Sequence, residues 1–225
     1  MKNKLISNFI KLNILIFIMF QLMSCGVSSE EKAIRNSLAA INLHYDTLIN
    51  KFNKELVSHF PGRIDTNIKG INSQTGNTAP SYYLFVVRKY NKIESIHENY
   101  KNKALEMYDM QDTCLLIVNR HETDSNIYNI NKNDIYFYEI NKQCYKNKHP
   151  IPNFHSLINY RNKEKQNRLA EDFTIMILNS HKGEFKDIKM PEDTWYMPEG
   201  WEDGFSEGVA ISKKRNILIN WVVVW

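Results

Sequence analysis

Residues Ile217 to Trp225 constrain this chain more than any others. Ile217, Ile219, Trp221, Val223 and Trp225 alternate with Leu218, Val222 and Val224, so a strand built from them is apolar on both faces. Such a strand needs a neighbour on each side and a layer above and below. It therefore predicts a covered sheet with the terminal strand at its centre. Gly208 to Ile211, followed by the polar turn Lys213-Lys214-Arg215-Asn216, supplies the antiparallel partner of a C-terminal β-hairpin.

Other apolar runs extend this pattern. Tyr82 to Val87 and Cys114 to Val118 read as strands buried on both faces, and Ile93, Ile96, Tyr100, Ala104 and Met107 fall on one helical stripe between them. That order predicts a strand–helix–strand unit with parallel strands. Ile135 to Ile140 and Phe173 to Leu178 read as further strands, and residues 62–80, rich in Gly, Asn, Ser and Thr, as a loop.

Upstream, Ser28 with Glu31 has the form of a capping box. Ile34, Leu38, Ile41, Tyr45, Leu48, Phe52, Leu56 and Phe60 then follow at spacings of three and four until Pro61-Gly62. The alternation slips after Phe52, which favours a helix packed along a sheet over a coiled-coil stalk. The fold class expected is α+β: a long N-terminal helix packed on a mixed sheet, with one strand–helix–strand unit and a C-terminal β-hairpin.

The first 24 residues stand apart. Lys2, Lys4 and Lys11 precede the apolar run Leu12 to Met23, which is broken only by Asn13 and Gln21. The run is short for a bilayer span, which needs about 20 apolar residues, and has the layout of a secretory signal. Leu22-Met23-Ser24-Cys25 resembles the processing site of bacterial lipoproteins, a likeness confined to the first 26 residues. The resemblance implies cleavage before Cys25, acylation of its thiol and new amino terminus, and attachment to a membrane by lipid. Gly26 in place of an aspartate implies onward transport to an outer membrane, and Ser28-Ser29-Glu30-Glu31 is similar to short acidic signals for surface display. The expected division is a signal peptide over 1–24, a lipidated tether over 25–29 and one domain over 30–225.

Charge and cysteines narrow the function. Three of the 29 Lys and Arg lie in residues 1–24, so 26 basic groups face 25 acidic ones in the remainder, which gives no basic surface for nucleic acid. Beyond Cys25 only Cys114 and Cys144 remain; an oxidising compartment lets them pair, while the apolar run after Cys114 suits two free core thiols equally. No spacing reads as a metal site, and no motif requires a cofactor.

Three regions carry candidate chemistry. Gly204-Phe205-Ser206-Glu207-Gly208 matches the nucleophile-elbow pattern, but no Asp, Glu or His follows Gly208, so the triad order fails. The loop around it holds Trp195, Tyr196, Trp201 and Phe205, expected to form a contact surface for a protein or glycan partner. The loop also holds Glu192, Asp193, Glu199, Glu202, Asp203 and Glu207, carboxylates that a glycan-directed hydrolase would need. Arg88 and Lys89 after one strand, with Arg120 and His121 after another, are a candidate anion or ligand site. The function expected is a binding or interaction module held at a bacterial outer membrane by lipid on Cys25, facing the periplasm or the cell surface; the alternative is a lipid-anchored hydrolase.

Overall fold

The computed structural model describes residues 29–75, 81–119, 143–183, 197–198 and 200–225. The chain divides into two compact units, 1–41 and 42–225. In the first, residues 32–40 form helix and are exposed apart from half-buried Leu38. The second contains all six strands of the described residues.

The first helix, α1, runs from Ser29 to Ile49 and not to Phe60. Asn53 accounts for the early stop: its side-chain oxygen accepts the amide hydrogen of Glu55 at 2.9 Å, a hydrogen that a continuing helix would give to Lys51. Single turns follow, with Leu56 N–H bonded to the Asn53 carbonyl at 3.0 Å and Phe60 N–H to that of Val57, also at 3.0 Å. Phe52, Leu56 and Phe60 are buried all the same, at positions the helical stripe had singled out. Asn42 ties the end of α1 to the chain beyond Gly62 through two bonds with the backbone of Ile64, at 3.0 and 2.8 Å.

The strands are β1 (Ile68–Gln74), β2 (Tyr82–Lys89), β3 (Glu106–Asp109), β4 (Thr174–Lys182), β5 (Gly204–Ser212) and β6 (Ile217–Val224). They form one sheet in the order β1-β2-β6-β5-β4-β3, and every neighbouring pair is antiparallel. The expected α+β fold, with a long helix packed on a mixed sheet, is therefore corrected to an antiparallel sheet with two helices among the described residues. The strand–helix–strand unit is corrected with it. After β2 comes the short helix α2 (Glu94–Lys101), and the chain then reaches β3 at the far edge, with β6, β5 and β4 lying between. Leu115 to Val118 is buried and Cys114 half-buried, but the segment is irregular, held by a single parallel bridge from Ile117 to Ile151.

The physical reason lies in how the sheet is covered. Continuous apolar strands signal burial on both faces, which parallel sheets usually show, but an antiparallel sheet with a layer on each side shows it too. Here α2 and its flanks cover one face, where Ile93 packs with Met176, Val209, Ile211 and Leu218. The other face carries the main core, with Phe85, Ile175, Ile177, Ile219 and Trp221 meeting Leu115, Ile151, Phe154 and Leu169. Strand β6 sits between β2 and β5, and every residue in it is buried. In contrast β1, within residues expected to form a loop, is an edge strand of polar sequence, IKGINSQ. The expected strand at Ile135 to Ile140 lies outside the described residues, and no described helix is long and apolar enough to cross a membrane.

Candidate functional site

The glycine–serine motif belongs to the interior of β5. Gly204, Ser206, Gly208 and Ala210 share one face, and across the ladder Ser206 pairs with Val223, Gly208 with Trp221 and Ala210 with Ile219. A Cβ on Gly208 would lie 2.8 Å from Cζ2 of Trp221, and one on Gly204 would lie 2.9 Å from Cζ2 of Trp225. The small residues thus form a trough for two indoles. Ser206 is fully buried with its hydroxyl unpartnered, so it reaches no substrate.

The proposed aromatic contact surface is corrected by the same packing. Trp201 is 7% exposed and Phe205 8%. Trp201 tilts against Trp225 at 5.9 Å between ring centroids, and its carbonyl accepts the Trp225 indole hydrogen at 2.8 Å. Phe205 stacks with His181 at 6.1 Å. Both rings are core because β5 and its approach run across the sheet rather than over it. Trp195 and Tyr196 lie outside the described residues, as do Glu192, Asp193 and Glu199.

Of the remaining acids, Glu202 accepts the amide hydrogen of Gly200 at 2.9 Å. Glu207 points into the protein, with Oε2 3.5 Å from Nδ1 of His59 and both side chains under a tenth exposed. His59, carried on the turns after α1, places Nε2 3.0 Å from the Gly208 carbonyl and 3.2 Å from that of Trp221. Two acceptors at one nitrogen fix the tautomer: Nε2 carries the hydrogen and donates it, leaving Nδ1 toward the carboxylate. A general base needs a free lone pair facing substrate, and Nε2 has none to offer. The Nε2 hydrogen therefore fastens the turns to the sheet, together with Asn220 Nδ2, which donates to the His59 carbonyl at 2.9 Å, while His59 Nδ1 and Glu207 Oε2 make no hydrogen bond. Nothing in the sequence marks a lone histidine 148 positions from its acid for this role.

The candidate anion site does not assemble among the described residues. The Arg88 guanidinium lies 3.3 Å from Asp65 and over the Tyr90 ring at 5.0 Å, so its charge is already engaged. Lys89 is exposed, and Arg120 and His121 lie outside the described residues. Cys114 and Cys144 are joined in a disulfide with a Cα separation of 6.0 Å. Among the described residues no three His, Cys, Asp or Glu side chains converge.

What the structure does bring together is an open groove of about 800 Å³, bounded by Gln111, residues 158–159, residues 161–164, residues 170–172 and the β5–β6 turn at Lys214-Arg215. A bridge between Arg161 and Leu169 folds the charged stretch 161–169 into a hairpin that forms one wall. The wall behind is held by Arg215, which donates to both carboxylate oxygens of Asp172 at 2.8 Å each and lies over the Phe173 ring. Partial burial pushes the Asp172 carboxyl up, but the Arg215 guanidinium and the Ser212 hydroxyl outweigh it and hold it below the ordinary carboxylate range. A depressed folded-state value means the pair stabilises the domain above about pH 3.9 and loses that contribution as acid titrates the carboxylate through its lower value. Asp172→Asn is expected to cost about 1 kcal/mol at pH 7, the scale of a partly exposed bidentate pair. The difference in melting temperature from the parent should close steadily below about pH 4; a gap that stays constant to pH 2 would show that the carboxylate is not the source.

Arg161 forms part of the opposite wall, its Nη1 donating to the His155 carbonyl at 3.1 Å. Burial first, and the Arg161 guanidinium second, hold the His155 imidazole below its ordinary range. Neutral His155 can then accept from the same Nη1 through Nδ1, 3.1 Å away. Compared with protein families, curated proteins and solved structures, the chain matches none.

Proposed function

We propose that this chain is a lipid-anchored binding module of a bacterial cell envelope, held at the outer membrane by acyl chains on Cys25 and contacting a protein or glycan partner through the groove beside the β5–β6 turn. The observation that carries the anchor is Leu22-Met23-Ser24-Cys25 at the end of a lysine-led apolar run. Two or three acyl chains hold a domain stably on a membrane, at about 0.8 kcal/mol per buried methylene. The groove supports the binding half of the reading: it is a broad concavity among the described residues, one wall is fixed by a bidentate ion pair, and its walls bear hydrogen-bonding side chains. The hydrolase alternative loses Glu207, which faces His59 inside the domain.

Metabolic labelling with a palmitate analogue tests the anchor. The full chain expressed in a Gram-negative host is expected to take up label and sediment with outer membrane, whereas Cys25→Ser should stay unlabelled and leave the membrane fraction. Equal labelling of both would sink the lipid reading. Protease shaving of intact cells then assigns the periplasmic or the outer face.

A further inference from the structure

We infer that the groove beside the β5–β6 turn takes an extended peptide segment of mixed charge from a partner protein, rather than a glycan, a polyanion or a lipid surface. The inference rests on the binding reading above and names the partner class.

The argument is one of complementary chemistry at fixed walls. Asp172 and Arg215 neutralise each other at 2.8 Å and are unavailable to a ligand. Arg161, Lys163 and Lys214 form no ion pair with a carboxylate among the described residues, and they stand on different walls, the first two in the 161–169 hairpin and the third in the β5–β6 turn. Glu164 and Glu171 also line the groove without an ion-pair partner among the described residues. Both signs of charge are therefore presented to the same occupant.

The lining also includes the amides of Gln111 and Asn159, each able to donate and accept as a peptide group does. Ile158, 69% exposed, adds a bare apolar side chain at the rim. A polyanion would set its charges against Glu164 and Glu171, and like charges brought together across an interface are costly. A neutral glycan could hydrogen-bond these side chains but would bring no counter-charge to any of the five and would find no aromatic ring among the lining residues to stack on. A planar lipid surface cannot enter a groove. Polypeptide is the polymer that carries anionic, cationic, amide and apolar groups together at short intervals.

The test is chemical-shift mapping on the 15N- and methyl-labelled full chain. The probes are a nonapeptide of alternating Lys and Glu around a central Leu, a heparin-derived oligosaccharide and maltohexaose, each added to about 1 mM, where even weak complexes register. The peptide is expected to shift the side-chain amides of Gln111 and Asn159 and the Ile158 methyls. Lys214→Glu and Glu171→Lys, both at exposed positions, should each weaken it about threefold with unchanged melting temperatures, the scale of a single rim charge. Peptide binding that is lost in Lys214→Glu but unaffected or strengthened in Glu171→Lys would overturn the mixed-charge inference. Occupation of the groove by either oligosaccharide and not by the peptide would overturn it too, while leaving the binding reading intact. Silence from all three probes would overturn both.

Discussion

A chain ending at Asn220 is expected not to fold. The five residues it lacks are each no more than 1% exposed: Trp221, Val222, Val223, Val224 and Trp225. Burying a valine is worth about 1.5 kcal/mol or more, and losing a buried indole costs about 3–5. The loss is on the order of 10 kcal/mol against a whole-domain stability of about 5–15. Backbone pairing goes with it. Residues 221–224 pair with Phe85, Leu84, Tyr83 and Tyr82 on one side and with Gly208, Glu207, Ser206 and Phe205 on the other. Both neighbours would be left with bare edges in the middle of the sheet, a template for aggregation. Circular dichroism and gel filtration should show an unfolded or aggregated chain; a soluble truncation with a cooperative melt would show that β6 is dispensable.

The strength of that expectation comes from residues whose meaning could be read in one dimension. Strands β2 and β6 are visible as apolar runs because each is buried over most of its length, whereas β4 shows only where Ile175 to Ile177 are buried and β5 only over Gly208 to Ile211. The turn at Lys213 to Asn216 gave the antiparallel direction of β5 and β6, but that of β2 and β4 was not visible, because burial on both faces does not distinguish a parallel sheet from an antiparallel one covered twice. Strand β1 escaped notice for the opposite reason. It pairs on one side only, none of its residues is fully buried, and Ile68 to Gln74 carries little hydrophobic signal. The end of α1 turned on one asparagine side chain, a competition that periodicity cannot weigh. Trp201 and Phe205 looked like surface groups because acids surround them in sequence, and sequence proximity says nothing about which way a ring points. The groove was invisible altogether, since its walls come from residues 158–172 and from a turn more than forty positions later. One signal was present and legible in retrospect. Gly204 and Gly208 are four apart, as are Trp221 and Trp225, and an antiparallel hairpin sets the two spacings against each other.

That match leads to the second large effect: Gly208→Ala should destabilise the domain by about 3 kcal/mol or more, at the upper end for overpacking a core. A Cβ there would lie 2.1 Å from the Met176 carbonyl oxygen, 3.1 Å from the Ile177 Cα and 2.8 Å from the Trp221 ring. Only the ring is a side chain, and it is fully buried. Relief would have to come from moving β4 away from β5, which breaks the ladder that joins Met176 to Val209 and Ile177 to Gly208. Shrinking the indole therefore does not rescue the variant, and Trp221→Phe combined with Gly208→Ala should be no more stable than Gly208→Ala alone. Ser206 supplies the contrast. Its hydroxyl is buried without a partner, so Ser206→Ala removes an unsatisfied group and should leave stability unchanged or raise it by up to about 1 kcal/mol. A nucleophile elbow makes the opposite demand, because there the serine is the residue that function cannot spare. Denaturant melts of the two alanine variants decide between them. A Gly208→Ala chain as stable as its parent, beside a Ser206→Ala chain that is folded but has lost a measurable hydrolysis, would mean that the glycines shape a reactive turn and not a trough for tryptophan.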